Sequence, residues 1–313
     1  MTDMTKRRTF LNTALSIFVG FAALLGGAVY AQNEGDKYVL DSLKMLLTAN
    51  TIECDILLET YVDGKEYTAR GRYEEQALPK NAPDSFLRSM YRLEINFPMN
   101  TSTANDSEPN RMTLVCSPSE TPDKNLITQY SFIEGTQEFS TIDLTRLERR
   151  LQSASNKKAV FAQISEVRHL GGLAGTLRQI SRFYEFSAPT QDKLQDEETV
   201  ATWKLTGTLR SIYHTDLLKQ FGGLDKNGHY PADFPSDIEV WLGRHNDFPY
   251  KIRFLRRTSE KTSQKKPLFQ ESFYKVNVNG PPIPASKFAP LTPPDGILRV
   301  QDETANVLKT LGL

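Results

Sequence analysis

The sequence predicts an α+β protein in which one antiparallel sheet curls around helices. Three observations carry this reading. After residue 50, apolar and polar residues alternate in segment after segment, the period of a strand with one buried face. Two stretches, near 144–151 and 172–185, change to helical spacing and present apolar stripes that need a partner. About eight or nine strands and two such helices fit a single sheet whose open face receives the stripes.

The elements follow in order. Tyr38, Leu40, Leu43, Leu46 and Leu47 recur at helical spacing, so residues 36–49 open the fold as an amphipathic helix. Ile52, Cys54, Ile56 and Leu58 then alternate with charged residues, as do Tyr67, Ala69, Gly71 and Tyr73. Asp63-Gly64 between them is a hairpin turn signal. Tyr91, Leu93, Ile95 and Phe97 make a third strand, 98–110 a polar loop, Met112, Leu114 and Cys116 a fourth strand, and 126–133 a fifth. Leu144, Leu147 and Leu151 form one helical stripe, with Asp143 as N-cap and Arg146, Glu148, Arg149 and Arg150 facing water. Leu173, Leu177, Ile180 and Tyr184 form the second stripe. Strands resume at 200–210, 237–242, 250–255 and 268–278, with Trp241 pointing away from Ile238, Val240 and Leu242. The basic stretch 258–267 reads as a hairpin tip. Prolines between 281 and 294 forbid central-strand pairing and leave an ordered crossing segment or a linker. Val307, Leu308 and Leu311 suggest a short terminal helix. The polar stretch 188–198 is a loop or, if the chain has two domains, their linker.

Residues 1–31 have a basic start, an apolar run from Thr13 to Tyr30 and a small residue, Ala31, at the exit, the three parts of a secretory signal peptide. An uncleaved membrane anchor is the alternative, although Gly20, Gly26 and Gly27 dilute the run. Arg7-Arg8-Thr9-Phe10-Leu11 resembles the twin-arginine export signal of bacteria. The expected place is therefore the periplasm or cell envelope, with residues 32–313 forming one domain. The full chain balances 38 basic against 38 acidic residues; without Lys6, Arg7, Arg8 and Asp3 the remainder has 35 against 37. No strong field points to nucleic acid or to an anionic membrane.

Cys54 and Cys116 each sit in a strand-like segment. In an exported protein they are candidates for a disulfide, or else two buried thiols. The four histidines, His169, His214, His229 and His245, show no metal-ligand spacing with them, so no metal or cofactor is expected. The chain has no Gly-x-Ser-x-Gly elbow, phosphate loop or His-Glu-x-x-His motif. His169-Leu170-Gly171-Gly172 reads as a loop entering a helix and His245-Asn246-Asp247 as a turn, so no catalytic residue is nominated and the expectation is a protein without catalysis. Large side chains do gather on the strand faces: Tyr73, Tyr91, Phe97, Trp203, Phe254 and Phe273. They are either ordinary core or the lining of an apolar cavity.

Ile283-Pro284-Ala285-Ser286-Lys287-Phe288, then Thr292-Pro293-Pro294-Asp295-Gly296-Ile297 with Val300 and Asp302, is similar to the Phe-x-x-x-Pro-Pro-x-Gly-Val-x-Val-x-Asp close of the LolA-like periplasmic lipoprotein carriers. Phe248-Pro249-Tyr250-Lys251-Ile252 is similar to the starts of their late strands, and the order of elements over residues 36–303 resembles theirs. The resemblance implies an unclosed β-barrel with a helical lid and an interior for lipoprotein acyl chains or another lipid. It also implies an inner-membrane donor and an outer-membrane acceptor. On that reading Leu144, Leu147, Leu173, Leu177 and Ile180 are lid residues, the strand aromatics line the cavity, and the protein is a monomer. The competing expectations are an envelope-stress sensor or structural module with a filled barrel, and an envelope hydrolase with a dispersed site.

Overall fold

The structure is a computed structural model that describes residues 33–62, 64–78, 89–97, 110–118, 127–153, 172–195, 199–259, 264–297 and 299–310. The stretch 1–31 read as a signal peptide, the loop at 98–109 and His169 lie outside the described residues. The described chain divides into two compact units whose segments interleave. The first takes Met1–Leu47, Leu58–Tyr67 and Ser165–Tyr274, the second Thr48–Leu57, Thr68–Ile164 and Lys275–Leu313. Three long strands, β1 (Thr51–Val62), β2 (Lys65–Ala77) and β12 (Lys265–Val278), contribute residues to both.

The second unit is the meander read from the sequence. β1, β2, β3 (Ser89–Phe97), β4 (Asn110–Pro118), β5 (Ile127–Ile133) and β6 (Glu138–Asp143) lie side by side in chain order, and β13 (Arg299–Asp302) pairs with β6 in parallel. Gly64 takes a φ of +73° in the first hairpin, a left-handed value that glycine adopts without strain. Gly71 is needed for another reason: a Cβ there would sit 2.1 Å from the Glu94 carbonyl oxygen across the β2–β3 ladder. β3 buries every second residue from Ser89 to Phe97, the alternation its sequence carries. Helix α2 (Leu144–Ser153) starts where expected: the Arg146 amide donates to Asp143 Oδ1 at 2.8 Å, the N-cap bond. It packs on β5 and on the terminal helix, Thr304–Thr310.

The proline-rich stretch is a crossing segment. The Ile283 amide donates to Gln76 Oε1 at 2.7 Å, Lys287 pairs with Glu74 at 3.3 Å, and Phe288 is buried in a 3-10 turn, Ala285–Phe288. Packed against β3 and β4, it shields ionic groups that strands without a covering layer would leave in water.

The first unit holds α1 (Glu34–Thr48), α3 (Gly172–Phe183), β7 (Tyr184–Phe186), β8 (Thr190–Gln195), β9 (Thr199–Leu209), α4 (Ser211–Gln220), β10 (Asp237–Gly243) and β11 (Pro249–Arg257), with most of β12. The strand order runs β12-β11-β10-β9-β7, all antiparallel, with β8 also on β9. α1 is anchored by Asp36, which accepts the Phe186 amide at 3.0 Å and pairs with Arg210 at 2.8 Å, all three groups buried. Residues 188–198 are no linker, because β8 lies within them and is hydrogen-bonded along β9. The basic stretch 258–267 is likewise shorter than expected, since Lys265 already begins β12. Both units are thus open, mostly antiparallel sheet with helices against it, the fold class read from the sequence.

Candidate functional site

In the second unit the register places large apolar side chains on one face. Tyr73 lies opposite Leu93, and Tyr91, Leu93 and Ile95 lie opposite Cys116, Leu114 and Met112. All are buried, as is Phe97 further along β3. The Tyr73 and Tyr91 rings stack with centroids 6.3 Å apart. The opposite face is ionic: Arg72 meets Glu53 at 2.7 Å, Glu74 at 3.1 Å and Asp55 at 3.3 Å, and Lys275 meets Asp55 at 2.8 Å. The hydrogen bond from Lys275, with the charges of Lys275 and Arg72, holds the Asp55 carboxyl below its ordinary value.

One carboxyl sits on the apolar side. Glu75, opposite Tyr91, is buried and accepts hydrogen bonds from the Tyr73 hydroxyl and from Ser89 Oγ, each at 2.5 Å. Burial pushes its pKa up, and the two hydroxyls pull against it without reversing the sign. Beside it the Tyr91 hydroxyl donates to Gln129 Oε1 at 3.0 Å, and Gln129 is also buried. The apolar face therefore has a satisfied polar seam. The alternation Tyr67, Ala69, Gly71, Tyr73 places Glu75 on this face, so the signal for it was present in the sequence and was passed over.

Cys54 and Cys116 are free and buried, which overturns the disulfide reading. The reason is strand order: β2 and β3 separate β1 from β4, three spacings of about 4.8 Å, whereas a disulfide joins Cα atoms at most about 7 Å apart. Burial pushes both thiols well above their ordinary range, so neither is a reactive thiolate.

In the first unit Trp203, Leu205, Ile238, Val240, Leu242, Ile252 and Phe254 share a face by register. Phe254 meets Tyr184 at 6.3 Å and Phe269 at 6.4 Å, and Phe273 meets Phe248 at 5.9 Å. Trp203 is only half-buried, edge-on to Tyr38 at 5.7 Å with the Arg244 guanidinium 4.9 Å from its ring. Trp241 does point the other way, as the alternation predicts, yet it is buried: its Nε1 donates to Asp192 Oδ2 at 2.8 Å, and Lys204, Arg253 and Lys251 surround the ring at 4.8, 5.3 and 5.7 Å. Such cation–π contacts let an indole rest on a polar face. Asp237 is enclosed by Arg257 at 2.8 Å, Lys265 at 2.9 Å and Ser236 Oγ at 2.8 Å, and these hydrogen bonds outweigh desolvation to hold its pKa down.

The eleven residues expected to line the site and its lid fall in both units. Tyr73, Tyr91, Phe97, Leu144 and Leu147 belong to the second; Leu173, Leu177, Ile180, Trp203, Phe254 and Phe273 belong to the first. Apart from Trp203 all are buried, Leu144, Leu147 and Leu177 completely. Within the second unit the structure brings Tyr73 and Tyr91 together, while the helix of Leu144 and Leu147 packs on β5, three strands from β2. His245-Asn246-Asp247 is the expected turn: the Asp247 amide donates to the Gly243 carbonyl at 2.9 Å, and Asp247 has a φ of +54°. His214 faces the Tyr230 hydroxyl, and His229 faces Asp225 and is bridged to Ser259 through the backbone. Among the described residues no group of three or more His, Cys, Asp or Glu could hold a metal ion, and no helix is long and apolar enough to cross a membrane.

No protein-family model matches the chain, and no curated protein matches it. Among solved structures it is similar to a DUF1329 family protein from Desulfovibrio piger, at 9% identity over 82% of this chain and 98% of that one, with a TM-score of 0.34. It is similar to the lipoprotein LppX of Mycobacterium tuberculosis at 10% identity over 79% and 96%, with a TM-score of 0.33. A LolA superfamily protein from Nitrosomonas europaea matches at 11% identity over 82% and 98%, with a TM-score of 0.20. At these TM-scores the likenesses carry no argument about function, and the fold stands on the strand order itself.

Proposed function

We propose that the mature chain is an exported, non-catalytic protein that binds an acyl chain or another lipid on an apolar sheet face, as a carrier of lipoproteins would. The single observation that carries the proposal is the one-sidedness of β2, β3 and β4, with tyrosines, aliphatic residues and Phe97 on one face and ion pairs on the other. An acyl chain gains about 0.8 kcal/mol per buried methylene, so such a face needs no further chemistry to hold one once its covering elements give way. The signal-peptide pattern of residues 1–31, a basic start followed by an apolar run, supports the reading.

A second reading is favoured by a different observation. Phe254 and Phe273 are buried among other rings, as in a filled core that binds nothing apolar. One experiment separates the two: recover the protein from the envelope, identify bound lipid or lipoprotein by mass spectrometry, and titrate it with an acylated peptide. Bound acyl chains and saturable binding are expected. Protein that is repeatedly empty and does not bind the peptide would leave the filled module.

A further inference from the structure

Arg72, Arg92, Arg111, Arg210, Arg253 and Arg257 each form an ion pair. α2 presents its arginines differently. Its inner side buries Leu144 and Leu147, and its outer side exposes Arg146, Arg149 and Arg150. At spacings of three and four these arginines are neighbours on one helical face, where like charges destabilise a helix slightly. Arg146 lies close enough to Asp302 for its charge to act on that carboxylate. Arg149 and Arg150 form no ion pair among the described residues.

We infer that the Arg146–Arg149–Arg150 face of α2 docks on an anionic phospholipid surface. Guanidinium groups match phosphate oxygens in paired hydrogen bonds, which an ammonium group does less well. Each basic residue held near an anionic bilayer strengthens binding about fivefold, so three give on the order of 100-fold. With 38 basic against 38 acidic residues the whole chain has no net attraction to such a surface, so a local basic face also sets the orientation of approach. The leucine side is used inside the protein, so contact is electrostatic and fades as salt shortens the screening length. This inference goes beyond the acyl-binding reading and does not depend on it.

The test is flotation of the full chain with phosphatidylcholine vesicles, with and without phosphatidylglycerol, at low and high salt. The triple variant Arg146→Gln, Arg149→Gln, Arg150→Gln should lose on the order of 100-fold in binding to the anionic vesicles. Its binding to neutral vesicles should be unchanged, since any contribution of the leader is common to both proteins. Arg→Lys at the three positions should retain most of the binding, as should Lys226→Gln on an exposed loop of the first unit. Circular dichroism checks that the triple variant is folded. Equal binding of wild type and triple variant to anionic vesicles would overturn the inference, as would wild-type binding that is indifferent to phosphatidylglycerol. In either case, capture of the helix by an acidic protein would be the surviving use of the arginines.

Discussion

Asp237 in the first unit and Glu75 in the second are both buried carboxyls on β-strands, and their surroundings act on them in opposite ways. Asp237 has two cations and a hydroxyl around it, and its pKa is lowered. Glu75 has two hydroxyls and, among the described residues, no cation, and its pKa is raised. Depth alone therefore does not set the charge state; the partner does. The first unit locks an anion into its sheet, whereas the second keeps a carboxyl that favours the neutral form within an apolar face.

Asp237→Asn should have the largest effect, because it strands Arg257 and Lys265. A loss of about 3 kcal/mol is expected, the low end for a broken buried pair, since both cations keep about a third of their surface in water. Urea unfolding followed by circular dichroism measures it, and an unchanged midpoint would erase the contrast between the units. Next come Tyr73→Phe and Ser89→Ala, each of which leaves Glu75 one donor short and should cost about 1–2 kcal/mol in the same assay.

Glu75→Gln should change little at low pH and should flatten the pH dependence. The folded pKa of Glu75 lies above its unfolded value, so its contribution is present in full below the unfolded pKa and is lost as pH rises through the folded one. Asp237 runs the other way: its contribution is present above the unfolded pKa and is lost as pH falls through the lowered folded one. Wild type should accordingly weaken in acid through Asp237 and on the alkaline side of the carboxylate range through Glu75. Stability curves for wild type and Glu75→Gln that stay parallel across that range would show that Glu75 does not titrate as inferred. The smallest effect is expected from reductant. With Cys54 and Cys116 free, dithiothreitol should leave the melting temperature unchanged, and thiol titration of unfolded, unreduced protein should find both sulfhydryls.

Much of the second unit was legible because its strands carry their own alternation. Tyr91 to Phe97 states which side is buried, and Asp143 marks a helix start through its own side chain. β8 was not legible: Thr-Gln-Asp-Lys-Leu-Gln has almost no apolar side, and what holds it is the ladder to β9 and the bond from Trp241 to Asp192. β6 was missed because six residues with one large aromatic give no period to read. α4 was not legible either, because its apolar residues make no clear stripe. The cysteine pairing failed for a different reason: alternation gives the face of a strand but not its neighbours, and two intervening strands decide that question. For the expected site, the sequence showed which side chains are large and inward, but not that they divide between two units.

The bonds between residues 50–51 and Asn279 set a timetable. The Asn50 amide reaches Asn279 Oδ1 at 2.7 Å and the Asn279 amide reaches the Thr51 carbonyl at 2.9 Å, a link across 229 positions of chain. At 5–20 residues per second, a ribosome needs roughly 10–45 s to make the second partner after the first. Contacts so distant in sequence also form slowly once both partners exist. Through that interval the first strand is made and waits for its partner, so the second unit closes only when translation is nearly over.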